Sequence, residues 1–210
     1  MNYVRKNKEG ATLRAFFKLG SRFLEKIHYW RYRMRIRDLV ARGLVLGKNV
    51  TIEYTAHIDD DFPYLIRIGD NCSISNHVRL LAHDGTTFKF TAGHTRLGRV
   101  ELKDNCFIGE RCIILPGVTI GPSVLVAAGS VVNRDIPPNS CVAGVPARVY
   151  ARFDDLIERH EQQIGERKVF MFSDLSEDEH TRERIWEAVQ DGDAYLRGYV
   201  GRYPYTLNVD

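Results

Sequence analysis

The feature that most constrains this chain is an aliphatic residue that returns every six positions through most of its middle. The apolar stripe of an α-helix returns every 3.6 residues and that of a half-buried strand every two, so neither element explains the pattern. A period of six fits a solenoid, in which each hexad adds a short strand with one aliphatic side chain pointing inward. The repeating positions are Leu46, Ile52, Ile58, Ile68, Ile74, Leu80, Leu102, Ile108, Ile114, Ile120, Val126 and Val132.

Residues that favour tight turns follow these aliphatic positions. Gly, Asn and Asp tolerate the positive φ that a sharp corner requires. Three strands and their corners make one triangular coil, which buries little by itself, so stacked coils are needed to build a core. The sequence therefore predicts a mainly β solenoid over residues 44–150. Its clearest corner sequences are Gly69-Asp70-Asn71, Pro116-Gly117, Gly121-Pro122-Ser123 and Ala127-Ala128-Gly129.

Two insertions interrupt the repeat. Residues 59–67 are longer than a hexad, and residues 84–99 form a second, larger insertion. An insertion in a regular solenoid must leave it as a surface loop. We expect the loop 84–99 to project from the prism and to help form a site on a neighbouring surface.

Helices are predicted on both sides of the repeat. Apolar residues in 10–42 are spaced for one helical face. The alternating arginines of 29–37 fit either a strand or a helix, and we favour the helix. The chain thus divides into a basic helical segment 1–43, the solenoid with its loop 84–99, and an acidic helical extension 151–210.

The acidic extension begins with a predicted helix from about Asp154 to Gln163. A second helix is predicted near Glu177 to Val189. Ser176 and Glu179 have the spacing of a capping box, in which two side chains satisfy free backbone N–H groups at a helix start. We therefore expect Ser176 to begin the second helix.

The two ends of the chain carry opposite charge. Residues 1–42 hold twelve Lys and Arg against three Asp and Glu, whereas residues 151–210 hold eight against fourteen. A basic segment can meet the phosphates of nucleic acid or lipid. No base-reading motif accompanies it, so we expect docking on the body or on the acidic extension, and no nucleic-acid binding. Peripheral contact of residues 1–42 with an anionic membrane stays open.

Compartment and redox state follow from two further features. No apolar run approaches the roughly 20 residues of a membrane-spanning helix, and no secretory signal is recognisable. We expect a cytoplasmic protein, with the inner face of the membrane as its place of contact if residues 1–42 bind lipid.

The cysteines lack paired CxxC spacing, and we expect them to be reduced and buried: Cys72, Cys106, Cys112 and Cys141.

The chain resembles the hexapeptide-repeat acyltransferases, in the branch of sugar and antibiotic O-acetyltransferases that includes galactoside and maltose acetyltransferases. The resemblance covers roughly 44–150 and is most specific in its closing segment. It implies a left-handed parallel β-helix, acetyl-CoA as the donor, a homotrimer, and active sites between adjacent subunits. The motifs that carry it are Cys106-Phe107-Ile108-Gly109, Ile114 to Gly121, Ala128 to Val132, Asp135-Ile136-Pro137-Pro138 and Ala143 to Val149.

The same resemblance implies where the coenzyme lies. Ala128 and Gly129 would line the slot for the pantetheine arm, where a bulky side chain would block the thioester. A tight corner explains these two small residues equally well, and both interpretations can hold together. The residues expected along the outer part of the coenzyme are Asn133, Arg134 and Arg148. The guanidinium groups of the two arginines suit phosphate oxygens, although surface solubility would also explain them.

Two positions depart from the family pattern. Phe107 stands where many relatives have Trp, and Glu110 stands where a small residue is usual near the coenzyme. A carboxylate beside a polyanionic coenzyme is unfavourable unless a cation offsets it. The coenzyme contacts around Phe107 and Glu110 are therefore the least typical of the predicted site.

His83 is the predicted general base. Transfer of an acetyl group to a hydroxyl requires removal of the hydroxyl proton near neutral pH, and imidazole fits that task. His83 closes a hexad at the start of the long insertion, and the resemblance places the catalytic histidine at this distance before Phe107. His94, within the loop, is the alternative base and otherwise a substrate contact. The expected reaction is direct transfer without an acyl-enzyme.

The acceptor is expected to be a sugar hydroxyl of a surface-polysaccharide precursor. The polar insertion Asp59-Asp60-Asp61, and Asp60 and Asp61 in particular, would hydrogen-bond the polyol, although a plain surface role explains these residues equally well. An antibiotic, an amino acid or an amino sugar stays open, since the fold is shared by all of these chemistries. Zinc-dependent hydration would need three converging histidines. His77 and His83 are six residues apart and fall on successive faces, so no metal is expected. A non-catalytic scaffold is the remaining alternative.

Overall fold

A computed structural model of the chain describes residue 27 and residues 30–176, 178–190 and 192–198. Most of the helix predicted over 10–42 lies outside these residues. Its described part, 30–41, is helical and forms α1. Residues 29–37, whose arginines left strand and helix open, are helical where they are described.

The solenoid consists of short strands in stacked coils. Its first coil holds β1 (Val45–Leu46), β2 (Thr51–Ile52) and β3 (His57–Ile58), and its second holds β4 (Ile66–Ile68), β5 (Ser73–Ile74) and β6 (Arg79–Leu80). An excursion with β7 (His83–Asp84) and β8 (Arg96–Leu97) follows. The third coil holds β9 (Val100–Leu102), β10 (Cys106–Ile108) and β11 (Ile113–Ile114), and the fourth holds β12 (Thr119–Ile120), β13 (Val124–Val126) and β14 (Val131–Val132). The solenoid ends with β15 (Ser140–Gly144) and β16 (Ala147–Arg152).

Three sheets form the faces of the prism. The first face has the order β1-β4-β9-β12, the second β2-β5-β10-β13-β15-β16, and the third β3-β6-β11-β14. All strand pairs in these faces are parallel except the last, β15 with β16. The register stacks the repeating aliphatic residues directly, as in Ile52 against Ile74 and Ile74 against Ile108. The predicted mainly β parallel solenoid with a period of six is confirmed.

The corners are named here by the faces that they join. The first corner joins the first and second faces, the second corner joins the second and third, and the third corner joins the third face to the first face of the next coil. At the first corner Asn49, Asn71 and Asn105 all have positive φ, between 53° and 59°. Their side-chain amides form a ladder, since Asn49 Nδ2 donates to Asn71 Oδ1 at 3.1 Å and Asn71 Nδ2 to Asn105 Oδ1 at 3.2 Å. Asn supplies both the backbone conformation and the contact between coils.

Helix α1 closes the N-terminal end of the core. Ile36 and Leu39 are buried with the aliphatic residues of the coils. The hydroxyl of buried Tyr32 donates to the carbonyl of Ile52 at 2.7 Å, which satisfies a backbone group of the first coil. The helix therefore covers apolar surface that the open end of a solenoid would leave in water.

The C-terminal extension contains α2 (Phe153–Glu166), β17 (Val169–Met171), a 3-10 turn (Phe172–Asp174), α3 (Glu179–Ala188) and β18 (Tyr195–Arg197), which pairs parallel with β17. Both helices lie near their predicted positions. The predicted capping box is wrong, because the N-cap of α3 is Asp178, whose side chain accepts from Thr181 N at 2.8 Å. Ser176 lies before the cap and pairs with the Thr181 hydroxyl instead.

The four cysteines are free and buried, as predicted. The thiols of Cys72, Cys106 and Cys112 contact carbonyl oxygens of the neighbouring coil at 3.0–3.1 Å. Burial raises the pKa of Cys112 and of Cys141, which disfavours the reactive thiolate. Among the residues described, no helix has the length and apolar character needed to cross a bilayer.

Candidate active site

The two insertions leave the solenoid at the same corner of adjacent coils. β3 and β6 pair in register, with Ile58 beside Leu80. The residues that follow the two strands are therefore stacked, and Asp59 N donates to Leu80 O at 3.0 Å. This third corner brings Asp59 at the start of one insertion to His83 at the start of the other.

His83 is bound to a buried carboxylate. Its Nδ1 lies 2.6 Å from Asp59 Oδ2, and Asp59 is only 1% exposed. Because an ionised carboxylate only accepts hydrogen bonds, Nδ1 carries the proton and donates it. A neutral imidazole in this tautomer has its lone pair on Nε2. The arrangement therefore prepares Nε2 to accept a proton.

Backbone groups keep Asp59 in its ionised form. Burial by itself raises the pKa of this carboxyl, but hydrogen bonds from Ala82 N, His83 and Asp61 N oppose it and leave the pKa below its usual value. Ala82 N donates to Oδ2 at 2.8 Å, and Asp61 N and Phe62 N donate to Oδ1 at 3.1 and 3.3 Å. Asp59 is thus a fixed anion that orients the imidazole and stabilises its protonated form.

Nε2 faces the open side of the corner. The His83 side chain is 34% exposed, and the carboxylate of Asp61, which is 75% exposed, lies 4.0 Å from Nε2. The Phe62 ring meets the imidazole edge to face at 5.3 Å between centroids. Both free polar atoms, Nε2 of His83 and the carboxylate of Asp61, are therefore accessible to an acceptor.

The loop 84–99 starts at His83 and returns alongside it. His83 pairs antiparallel with Leu97, and Gly98 N donates to Ala82 O at 2.9 Å. Residues 85–97 are all exposed. His94 lies in this exposed part, where its Nδ1 contacts the carbonyl of Thr91. No polar contact between His94 and His83 occurs within the described residues.

Asp60 differs from its two neighbours because it is held by α1. Its carboxylate accepts from Arg35 Nη2 at 3.0 Å and from Nε at 3.2 Å. The Asp60 carbonyl accepts from Arg42 Nη2. Of the two acidic residues predicted to bind substrate, Asp61 is thus free beside Nε2, whereas Asp60 is occupied.

The predicted pantetheine residues lie at the second corner. Ala128 and Gly129 are exposed, and Gly129 has a φ of +74° with open space where a Cβ would stand. Gly129 N donates to the Glu110 carbonyl of the coil below at 2.7 Å. The Glu110 carboxylate lies 3.7 Å from His77 Nδ1 and 3.8 Å from Arg111 Nε. The Arg111 guanidinium, a cation, and the His77 imidazole therefore accompany the carboxylate that departs from the family pattern.

The other predicted coenzyme residues are exposed but spread over the prism. Phe107 points outward from the second face between Ser73 and Leu125. Asn133 and Arg134 lie at the third corner after β14. Arg148 lies on β16, and its Nη1 donates to the carbonyl oxygen of the preceding residue, Ala147. Within one chain, His83 and Ala128 occupy different corners.

Comparison with known proteins places this geometry in a family. A family model described as bacterial transferase hexapeptide (six repeats) matches residues 99–134. Galactoside O-acetyltransferase of Escherichia coli (strain K12) is 35% identical over 120 residues, which are 52% of this chain and 54% of that protein. The putative acetyltransferase YvoF of Bacillus subtilis (strain 168) is 32% identical over 130 residues, which are 62% of this chain and 69% of the relative. The chain belongs to the bacterial hexapeptide-repeat transferases.

This hexapeptide-repeat transferase spans about half the length of the Escherichia coli relative that it matches. A solved structure of a hexapeptide-repeat acetyltransferase from Vibrio cholerae O1 biovar eltor, complexed with acetyl coenzyme A, is 32% identical. Its TM-score is 0.47, and the likeness covers 51% of this chain and 59% of that chain. A galactoside acetyltransferase in complex with coenzyme A is 31% identical, with a TM-score of 0.45 over 55% of this chain and 68% of that chain.

Sequence reasoning missed the roles of two residues in this transferase. The sequence does not distinguish Asp59 from Asp60 and Asp61 as a polyol contact, although Asp59 is the buried partner of His83. The strand register could have indicated this role. Ile58 pairs with Leu80 in the next coil, so Asp59, which follows Ile58, lies beside Leu81 and close to His83. Arg35 lies outside the repeat, and no pattern in the sequence links it to Asp60.

Ligand atoms of Asp59, Asp61 and His83 lie within 4.8 Å of one another, a spacing that a metal ion can use. Asp59 Oδ2 already accepts from Ala82 N and His83, and its Oδ1 accepts two further N–H groups. Only Nε2 and the exposed Asp61 carboxylate are left to coordinate, and two ligands are fewer than catalytic zinc sites use. The geometry fits an oriented base better than a metal centre.

Proposed function

We propose that this hexapeptide-repeat transferase moves an acetyl group from acetyl-CoA to a hydroxyl of a sugar acceptor, with His83 as the general base. The observation that carries the proposal is the 2.6 Å contact between His83 Nδ1 and buried Asp59, which leaves the partly exposed Nε2 free. The acetyltransferase names of the curated relatives support the chemistry. In this proposal the solenoid winds as the left-handed β-helix that the resemblance implies.

His83 would act twice in one turnover. Nε2 takes the proton of the acceptor hydroxyl as its oxygen attacks the thioester carbon. The C–S bond breaks as the tetrahedral intermediate collapses, and the imidazolium gives the same proton to the departing thiolate. Asp59 stabilises the imidazolium between the two steps. The products are an acetyl ester and free coenzyme A, and no acyl-enzyme forms.

The proposed site is shared between subunits. The base lies at the third corner and the proposed pantetheine slot at the second, so the two halves are apart within one chain. A neighbouring copy that packs its second corner against the third corner would bring Ala128 and Gly129 to His83. We therefore propose a homotrimer, whose threefold symmetry supplies this contact three times.

Asp61 is the proposed acceptor contact. Its exposed carboxylate near Nε2 can accept a hydrogen bond from a second hydroxyl of a polyol. Asp60 is better explained as a structural residue, because Arg35 occupies its carboxylate. His94 remains a loop residue available to the acceptor. A sugar is favoured because one relative is a galactoside O-acetyltransferase.

The basic segment is proposed to dock on the body of the protein. Its described part supports this, since Arg35 and Arg42 of the α1 region both hold Asp60. Lipid contact by residues 1–42 is the alternative, which binding to anionic liposomes would reveal. The location is proposed to be cytoplasmic.

The proposal is tested by supplying acetyl-CoA with a panel of galactosides, glucosides, amino sugars, aminoglycosides and serine, and measuring thiol release. We expect release with a sugar, and an acetyl ester on the product by mass spectrometry. Amide formation on an amino sugar would change the acceptor class but not the base. Failure to bind coenzyme A by calorimetry, together with no thiol release, would contradict the proposal and favour a scaffold.

A further inference from the structure

Helix α1 carries an arginine that reaches from the end of the solenoid to the third corner. The helix is fixed by its buried residues Tyr32, Ile36 and Leu39. Arg35 lies between these positions, and its side chain is 34% exposed. A rigid element thus presents a guanidinium group beside the first insertion.

The guanidinium fork of Arg35 contacts residues from Ala56 through β3 to Asp60 at the start of that insertion. Nη2 lies 3.0 Å from Asp60 Oδ1 and 3.2 Å from Oδ2, and Nε donates to Oδ1 at 3.2 Å. Nη1 donates to Ala56 O at 3.4 Å, and Nη2 to Ile58 O at 3.3 Å. Nη2 also lies 3.2 Å from His57 Nδ1. Lys could not reproduce this set, because its ammonium lacks the planar fork.

Asp60 stands between the two carboxylates that face His83. On one side Asp59 binds Nδ1 at 2.6 Å, and on the other Asp61 lies 4.0 Å from Nε2. The backbone of Asp60 is held as well, by Arg42 at its carbonyl. The position of Asp60 therefore limits the motion of both neighbours.

We propose that Arg35 is a positioning residue for the acetyl-transfer site, acting through Asp60 to fix Asp59 and Asp61 around His83. This inference rests on the proposed function. Arg35 touches neither ring nitrogen of His83, so it orients the base and is not itself a catalytic residue. The repeat that defines the family, matched over 99–134, would thus depend on a helix outside it for the geometry of its base.

The proposal separates an effect on activity from an effect on folding. Arg35 and Asp60 are 34% and 48% exposed, and an exposed ion pair contributes little to the free energy of unfolding. A small displacement of a catalytic group, by contrast, lowers the rate strongly. Loss of Arg35 should therefore leave the melting temperature nearly unchanged while it slows transfer.

The experiment compares Arg35→Met, Asp60→Asn and the double variant in the full chain, with Arg37→Met as a matched control on an exposed position of the same helix. We expect Arg35→Met to lower kcat/KM by about 10- to 100-fold, mainly in kcat. Asp60→Asn should have a similar effect. The double variant should be no less active than the less active of the two single variants, because both changes break the same Arg35–Asp60 contact. Arg37→Met should match the wild type.

A second readout does not depend on turnover. The ring ¹⁵N shifts of His83 report which nitrogen carries the proton, and the wild type should show the Nδ1–H tautomer. Arg35→Met should add a measurable fraction of the Nε2–H tautomer, and Arg37→Met should not. If the wild type acetylates no acceptor, the proposed function fails while this readout still tests Arg35.

Two results would overturn the inference. One is a folded Arg35→Met protein with kcat/KM within about twofold of the wild type and an unchanged His83 tautomer. The other is a double variant whose loss equals the product of the two single losses, because independent sites add in free energy.

Discussion

At the scale of single residues, the proposed role of His83 depends on Nε2, the ring nitrogen that Asp59 leaves free. The sequence predicts His83 as the base, because its place at the start of an insertion matches the pattern that the resemblance implies. The role of Asp59 could not, since it depends on which residues of adjacent coils are stacked. Ile58 and Leu80 are neighbours in space but 22 positions apart in sequence. Residue type alone also failed to separate buried Asp59 from exposed Asp61.

Asp59→Asn tests the dyad. The Asn side chain can present its NH₂ group to Nδ1, which would move the ring proton to Nε2 and remove the base. We expect kcat/KM to fall roughly 10²- to 10⁴-fold. Thiol-release kinetics measure the loss, and circular dichroism checks that the variant is folded. A folded variant that keeps activity within a few-fold of wild type would separate Asp59 from the reaction.

Ala128→Leu tests the pantetheine slot against a plain corner. The Ala128 side chain is exposed, so Leu fits the isolated chain without a clash. If the slot lies there, coenzyme A affinity measured by calorimetry should fall at least about tenfold, since the larger side chain fills the path. Pro122→Leu is the matched control, at the equivalent position of the first corner in the same coil. Equal affinity of Ala128→Leu and wild type would leave the corner as a turn only.

At the scale of elements, the period of six predicted the strands of the solenoid because each hexad buries one aliphatic residue. The ends of the chain were harder. The start of α3 was misplaced because Ser176 and Glu179 have the spacing of a capping box, whereas Asp178, next to the helix, accepts from Thr181 N. The capping-box spacing favoured Ser176 over Asp178 as the N-cap, although Ser and Asp are both good N-cap residues. The contacts of α1 depend on tertiary packing, and no periodic pattern in the sequence predicts them.

Leu39→Ala tests whether α1 is part of the core. Leu39 is 1% exposed, so truncation should lower the free energy of unfolding by about 2–5 kcal/mol. Met34→Ala on the exposed side of α1, where Met34 is 45% exposed, should change it by less than about 0.5 kcal/mol. Urea denaturation followed by circular dichroism measures both. Equal, small effects would mean that α1 is not packed on the solenoid.

The junction of α1 and β3 predicts a pH dependence of stability. Burial lowers the pKa of His57 from its ordinary 6.5, and the charges of Arg35 and Arg79 lower it further, against the opposing carboxylates of Asp60 and Asp59. The unfolded chain therefore binds a proton at His57 more readily than the folded chain does. The stability that this site contributes is complete above pH 6.5 and is lost as the pH falls toward the lowered pKa of His57.

The free energy of unfolding of the wild type should therefore decrease between about pH 7 and pH 5. His57→Gln, which removes the titrating group at this site, should lose less over the same range. Urea titrations at several pH values give both curves. Parallel curves for the two proteins would show that His57 does not titrate between these limits.

At the scale of the whole molecule, the separation of the second and third corners is the argument for the proposed homotrimer. In the proposed site, His83 lies at the third corner and Ala128 at the second, so the proposal requires a second copy to supply the other half. The resemblance implies a homotrimer, and the separation of the two proposed half-sites supports that proposal. Light scattering on the purified protein should give a mass about three times that of the chain. A monomer at micromolar concentration would contradict both the trimer and the shared site.

The most direct test of the account is acetyl transfer by His83→Ala on an acceptor that the wild type uses. If His83 is the general base, kcat/KM should fall roughly 10²- to 10⁴-fold, the usual contribution of general acid–base catalysis. Coenzyme A affinity and the oligomeric mass should be unchanged, because Ala128 and Gly129 lie at another corner. His94→Ala, in the exposed loop, should retain most activity. A folded His83→Ala protein with near-normal turnover, beside an inactive His94→Ala protein, would contradict the account and move the base into the loop.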